Sequence, residues 1–205
     1  PQIMPLEDED TAKAMERAFR KLRATVMTST TVKQVSVRED GKCVIDIEGK
    51  KGAQTLEADV VLSAVGIKSN LENMGLEELG VAIERDKVVV DEHYKTSVDG
   101  VYAIGDIIAT PALAHVASAE AIHCVEHICG LQPEAVDYST IPSCIFTSPE
   151  VASVGLTEAQ VKAQGIEYKV GKFPYTASGK ATAAGERDGF VKLLFDAATD
   201  KLIGA

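Results

Sequence analysis

The sequence predicts an α/β chain that gives way to a smaller α+β unit near Tyr138. Three observations predict it. Val60-Val-Leu-Ser-Ala-Val65 and Val101-Tyr-Ala-Ile-Gly105 are almost continuously apolar, as strands buried on both faces of a parallel sheet are. Three alternating segments between residues 32 and 57 describe an antiparallel meander. Past Tyr138 the texture changes to short strands around one capped helix.

Glu7 to Leu22 reads as a helix, with acidic residues in its first turn, basic residues in its last, and an apolar stripe of Ala14, Phe19 and Leu22. Thr25 to Thr28 reads as a short buried strand. Val32 to Arg38, Lys42 to Glu48 and Ala53 to Glu57 alternate in polarity and are separated by Glu39-Asp-Gly41 and Gly49-Lys-Lys-Gly52, which are turn sequences. Val60 to Val65 is the first buried strand. Leu71 to Glu84 is irregular, Lys87 to Val90 is a short strand, and Val101 to Gly105 is the second buried strand. Ala112 to Cys129 is an alanine-rich helix ended by Gly130. Ile141 to Thr147, Tyr168 to Phe173 and Phe190 to Phe195 are strands, and Thr157 caps a helix to Gln164. The chain closes on a hairpin whose second strand, Lys201 to Ala205, has only begun, which predicts that the natural chain continues.

The net charge of -10 and absence of a basic stripe argue against nucleic acid and anionic membranes as partners. No apolar run approaches a membrane span, and the acidic start, Pro1 to Asp10, does not read as a signal peptide. Four cysteines in 205 residues fit a reducing compartment, so a cytoplasmic protein is expected.

Three places could carry chemistry. The apolar strand ending in Gly105 puts Asp106 at its carboxyl end, where ligands bind in open α/β sheets and a carboxylate can accept hydrogen bonds from sugar hydroxyls. On spacing alone, a turn or cap role is the favoured reading of Asp106. Ala112-Leu-Ala-His115 opens the long helix, and free amides at such a tip suit a ligand that develops negative charge. Ala64-Val-Gly66 and Ile67 would cross the mouth of the sheet.

Together with Ile141-Pro-Ser-Cys-Ile-Phe-Thr-Ser-Pro-Glu-Val-Ala-Ser-Val-Gly-Leu-Thr157, these blocks resemble the pyridine nucleotide-disulfide oxidoreductase family over essentially the whole chain. Thr96 to His115 is the most specific part, and Phe173 to Lys180 loosely matches the family's dimerisation domain. Leu113-Ala-His115, followed by Ala117 and Glu120, is more similar to the dihydrolipoyl-oxidising branch than to the glutathione or mercuric reductase branches. The resemblance implies parts of FAD- and NAD(P)-binding doubly wound domains followed by the start of an α+β dimerisation domain. It divides the chain into an NAD-domain part (1–90), an FAD-domain segment (91–137) and an interface part (138–205). It further implies that Gly105 and Asp106 meet the ribityl chain of FAD, with Leu113, Ala114 and His115 contacting the flavin through backbone. Gly66, Ala64, Val65 and Ile67 would lie along the NAD site, and Val32 against the adenine. Lys68 stands where the family often has arginine, which removes a bidentate contact.

The implied activity is flavin-mediated oxidation of protein-bound dihydrolipoyl groups with NAD as acceptor. Implied partners are the lipoyl domains of 2-oxoacid dehydrogenase complexes or the glycine cleavage system, and a second copy in a homodimer. No Gly-x-Gly-x-x-Gly occurs, and the family's redox cysteine pair and His-Glu dyad have no match in the chain. No catalytic residue is therefore expected here, FAD binding by the chain alone is expected to be weak or nil, and no metal is expected. Two alternatives stand beside this reading: another flavin disulfide reductase (of the glutathione, mercuric or NADH oxidase type), or a non-catalytic dimerisation module. Cys124 and Cys129 share the C-x4-C spacing of a redox pair, but five residues along a helix turn their sulfurs about 140° apart. His123 and His127 read as surface or satisfied helix residues rather than zinc ligands, and Cys43 as core.

Overall fold

A computed structural model describes residues 2–205, so Pro1 of the acidic start lies outside the described residues. The chain forms two compact units, residues 2–63 with 142–205, and residues 64–141.

In the first unit, α1 spans Glu9–Lys21. Asp8 caps it by accepting from the Asp10 amide at 3.0 Å, and Glu9 and Asp10 sit at its positive end. Its buried residues are Ala12 and Met15, with Phe19 half-buried. Leu22, expected on the apolar stripe, is the C-cap and is exposed because the chain leaves the helix there. Thr25 to Thr28 is not a strand: it pairs with no neighbour and is exposed to half-exposed.

The meander forms as expected, with β1 (Thr31–Val37), β2 (Cys43–Gly49) and β3 (Gly52–Ala58) in that order. The registers Val37↔Cys43 and Gly49↔Gly52 place the turns at the two predicted loops. Only the central strand buries side chains, Ile45 and Ile47, while Cys43 on the same face is half-buried. In the second half of this unit β6 (Ser143–Ile145) pairs with β7 (Val151–Ser153). Helix α3 (Glu158–Ala163) opens on a reciprocal capping box between Thr157 and Gln160. Strand β8 (Tyr168–Pro174), the short helix α4 (Gly179–Ala184), β9 (Phe190–Asp196) and β10 (Leu202–Gly204) follow, in a sheet of order β10-β9-β8.

One ion cluster ties α1 to this sheet. Lys192 on β9 reaches Asp8 at 2.8 Å, Asp10 at 3.1 Å and Glu158 at 2.6 Å. Asp8 also accepts from the Glu158 amide, and Tyr168 donates to Glu158. Burial opposes the Lys192 charge, but the hydrogen bonds it donates to the three carboxylates outweigh it and hold the ammonium above the ordinary lysine range.

The second unit has a core of Val81, Val88, Tyr94, Ala103, Ile108 and Cys124. Strands β4 (Ile83–Glu84) and β5 (Lys87–Val88) make a small hairpin, and α2 runs Ala114–Ile128. The two expected buried strands are corrected here. Val60 to Val65 has no strand structure and is exposed, with Val65 96% accessible. Val101 to Gly105 keeps a single bridge, Tyr102 to Lys95, although Ala103 and Gly105 are buried. The physical reason is shared. A doubly buried strand needs parallel neighbours and covering layers, and among the described residues every strand pair is antiparallel.

Candidate functional site

Helix α2 supplies the platform. Alanines favour it, Gly130 at φ +80° stops it, and its buried residues Val116, Glu120, His123 and Cys124 repeat at helical spacing. Its N-cap, Leu113, is extended and offers no side-chain cap. The tip therefore carries backbone donors and the positive end of the helix dipole.

Against this helix lies the turn that ends the 101–104 run. Ile104 is extended, and Gly105 turns to φ +71° to open a 3-10 turn, Gly105–Ile107. A Cβ on Gly105 would stand 3.2 Å from the Ala117 methyl, so positive φ and close approach together require glycine. The Gly105 amide donates to Glu120 Oε2 at 2.7 Å. On the other side, the Asp106 carbonyl accepts from Lys87 Nζ at 2.7 Å and Ser69 Oγ at 3.1 Å, with Lys87 also donating to Ser69. The Gly105-Asp106 turn is thus held at the Gly105 amide and at the Asp106 carbonyl, while Asp106 itself is exposed.

Behind the turn, Glu120 is fully buried and accepts from the Tyr138 hydroxyl at 2.9 Å; Tyr138 in turn meets Tyr94 at 3.0 Å. Burial first, then the bonds to Tyr94 and Glu120, push the Tyr138 phenol up, and burial pushes that of Tyr94 up, so both are protonated donors at neutral pH. A cavity of about 710 Å³ opens beside the turn, lined among others by Lys87, Val88, Tyr94, Ile108, Thr110 and Tyr138. The Thr110 hydroxyl oxygen is buried there without a hydrogen-bond partner among the described residues.

The other expected residues lie as follows. Leu113, Ala114 and His115 form the cap and first two positions of α2. Ala64, Val65, Gly66 (φ +128°) and Ile67 are exposed irregular chain, joined to the Asp106 turn through Ser69. Val32 is exposed on β1 in the other compact unit. Lys68 forms an exposed ion pair with Glu72 at 3.7 Å. Cys124 is a buried free thiol, pushed up by burial, and Cys129 is an exposed one. His123 is buried, bonded to the Glu134 carbonyl and to His93, whose ring stacks on His127. Sequence reasoning missed Tyr94, Tyr138 and His93 as partners of α2. The signal for them was a glutamate and a histidine on the helix's buried face, since such groups require partners from elsewhere.

Two family models match this chain. The pyridine nucleotide-disulphide oxidoreductase model covers residues 1–121, and that of the same family's dimerisation domain covers residues 141–205. The chain belongs to the pyridine nucleotide-disulphide oxidoreductase family. Among curated members of that family, a protein named dihydrolipoyl dehydrogenase from Rhizobium etli is 43% identical over the whole chain, which spans 43% of that protein. The mitochondrial dihydrolipoyl dehydrogenase of Canis lupus familiaris is 40% identical over 97% of the chain and 39% of its own length. The crystal structure of LpdA from Mycobacterium tuberculosis superposes with a TM-score of 0.85 at 26% identity, covering 98% of this chain and 43% of that one. The flavoprotein disulfide reductase RclA from Escherichia coli gives 0.88 at 23% identity over 98% of this chain and 46% of that one, a likeness of fold alone. Less than half of each of these oxidoreductases is therefore represented in the present chain.

Proposed function

We propose that this chain is part of a flavin-dependent dihydrolipoyl dehydrogenase, in which residues 1–90 contribute to the NAD domain, 91–137 to the FAD domain and 138–205 to the dimer interface. The observation that carries the reading is the packing of the Gly105-Asp106 turn, with its exposed Asp106, on the first turns of α2, whose N-cap residue Leu113 makes no side-chain cap bond. These residues fit the flavin end of FAD. Asp106 would accept hydrogen bonds from the polyol, and the backbone from Leu113 to His115 would face the ring where negative charge develops on reduction. The unpartnered Thr110 hydroxyl in the adjoining cavity is a further polar group suited to a ligand. When bound, FAD would take an electron pair from a dithiol by way of the active disulfide and pass it as hydride to NAD.

Gly66 with Ala64, Val65 and Ile67 would border the NAD site, and Val32 the adenine. The substrate would be a dihydrolipoyl group on a lipoyl domain of a 2-oxoacid dehydrogenase complex or the glycine cleavage system. A homodimer is supported by the dimerisation-domain match and by exposed apolar side chains on that segment, among them Phe146, Val170 and Phe173. Free thiols throughout support a reducing, cytoplasmic setting. No described helix is long and apolar enough to cross a membrane.

Titration of the isotope-labelled chain with FAD to millimolar concentration tests the reading. Amide shifts should move at Asp106 and from Leu113 to His115, with weak affinity. Shifts confined to other residues would refute the assignment. The chain alone should not oxidise dihydrolipoamide.

A further inference from the structure

We propose that Glu120 is a positioning residue that acts through the Gly105 amide to set the direction of the Asp106 carboxylate. The proposal deepens the flavin reading and rests on it for the identity of the ligand, though not for the geometry.

The argument begins with burial. Glu120 has no accessible surface, and both its oxygens are used: Oε2 by the Gly105 amide, Oε1 by the Tyr138 hydroxyl. Both donors are neutral. Burying a carboxylate against neutral donors is unfavourable compared with an apolar side chain of the same size, so helix packing alone does not explain a glutamate here. What an apolar residue cannot do is receive an amide. Gly105 is in the left-handed region, outside any strand ladder, and its N–H points into the helix face. Left without an acceptor, that buried donor would force the turn to relax.

Geometry then links Glu120 to the ligand-facing residue. Glu120 and the Ala117 contact fix the peptide that enters Gly105, the Gly105 carbonyl accepts from the Ile108 amide at 3.0 Å and so holds the peptide before Asp106, and Lys87 and Ser69 hold the peptide after it. With both peptide planes held, the Asp106 Cα–Cβ direction is determined. Tyr138 spends its single proton on Glu120, so the Tyr94 hydroxyl must donate to Tyr138. The chain of donors from Tyr94 through Tyr138 thus fixes the carboxylate plane as well as its position. Glu120 does not touch the ligand; it aims the residue that does.

Glu120→Gln and Glu120→Ala in the isotope-labelled chain, read by amide shift and hydrogen exchange with and without FAD, test this. Gln keeps one acceptor for Gly105 but replaces a charge-assisted bond by a neutral one. The Gly105 amide resonance should therefore move, and its exchange should quicken about tenfold in Gln and roughly a hundredfold in Ala. Amides from Ala121 to Ile128 should keep their protection, and the FAD response at Asp106 should weaken more in Ala than in Gln. An unchanged Gly105 resonance and exchange rate in Glu120→Gln would overturn the proposal. So would uniform loosening of α2, which is the mark of a packing residue. If the FAD response of the wild-type chain falls on residues other than Asp106 and Leu113 to His115 while Gly105 is released in both variants, the flavin reading fails and the positioning role stands.

Discussion

A Cβ placed on Gly105 would stand 3.2 Å from the Ala117 methyl, and this contact makes the candidate anchor and the helix a single object. Gly105→Ala meets two obstacles at once, a positive φ of 71° and that methyl. The left-handed backbone alone costs an alanine about 1 kcal/mol, and the contact adds to it. We expect residues 101–130 to lose protection against amide exchange by a factor equivalent to about 2 kcal/mol, with β8 and β9 unaffected.

Asp106→Asn separates function from stability. Asp106 is exposed, and its recorded bonds run through its backbone carbonyl, which the substitution leaves in place. Stability should change by less than about 0.5 kcal/mol. The FAD-dependent shifts at Leu113 to His115 should need roughly tenfold more ligand, because a charge-assisted acceptor has been replaced by a neutral amide. An unaltered titration would remove Asp106 from the site.

These contrasts also show which parts of the structure the residues announce. The meander was readable because both its turns are local, Arg38 to Lys42 and Gly49 to Gly52, and strand polarity follows from them. The α3 cap was readable for the same reason, with Thr157 and Gln160 three residues apart. Val60 to Val65 was misread because an apolar run states only what surroundings a strand would need, and no parallel neighbour is present among the described residues to supply them. The role of Glu120 was hidden for a different reason. Its partners lie 15 residues before it and 18 after it, a separation that no periodicity reports.

Acid should loosen the first unit at a definite pH. Hydrogen bonds from Lys162, then Lys192 and Tyr168, lower the Glu158 carboxyl from 4.5 to about 2. A depressed folded value means that the stabilisation is fully present above the unfolded value and is lost as pH falls from about 4.5 towards 2. Lys192, held above the ordinary lysine range, has the opposite sign and weakens only in strong alkali. The acid loss should be on the order of 2 kcal/mol, followed by amide exchange in β8 and β9. Glu158→Gln should flatten that profile. Lys192→Met should be worse at neutral pH, by about 3 kcal/mol, since it leaves Asp8, Asp10 and Glu158 crowded without their shared cation.

The exposed apolar side chains of Val60, Leu62, Val65 and Ile67 should govern how this chain behaves in solution. Exposed apolar surface drives association, because burying it against another copy removes it from water at about 25 cal/mol per Å². None of these four side chains contributes to the buried core, so replacing Leu62 and Val65 by lysine should leave folding stability within about 0.5 kcal/mol per site. Light scattering over a concentration series should then show the double variant associating less than the wild type. Equal association would move the sticky surface to the exposed apolar side chains Phe146, Val170 and Phe173. A loss of several kcal/mol would mean that the 60–67 segment packs in solution where the structure leaves it open.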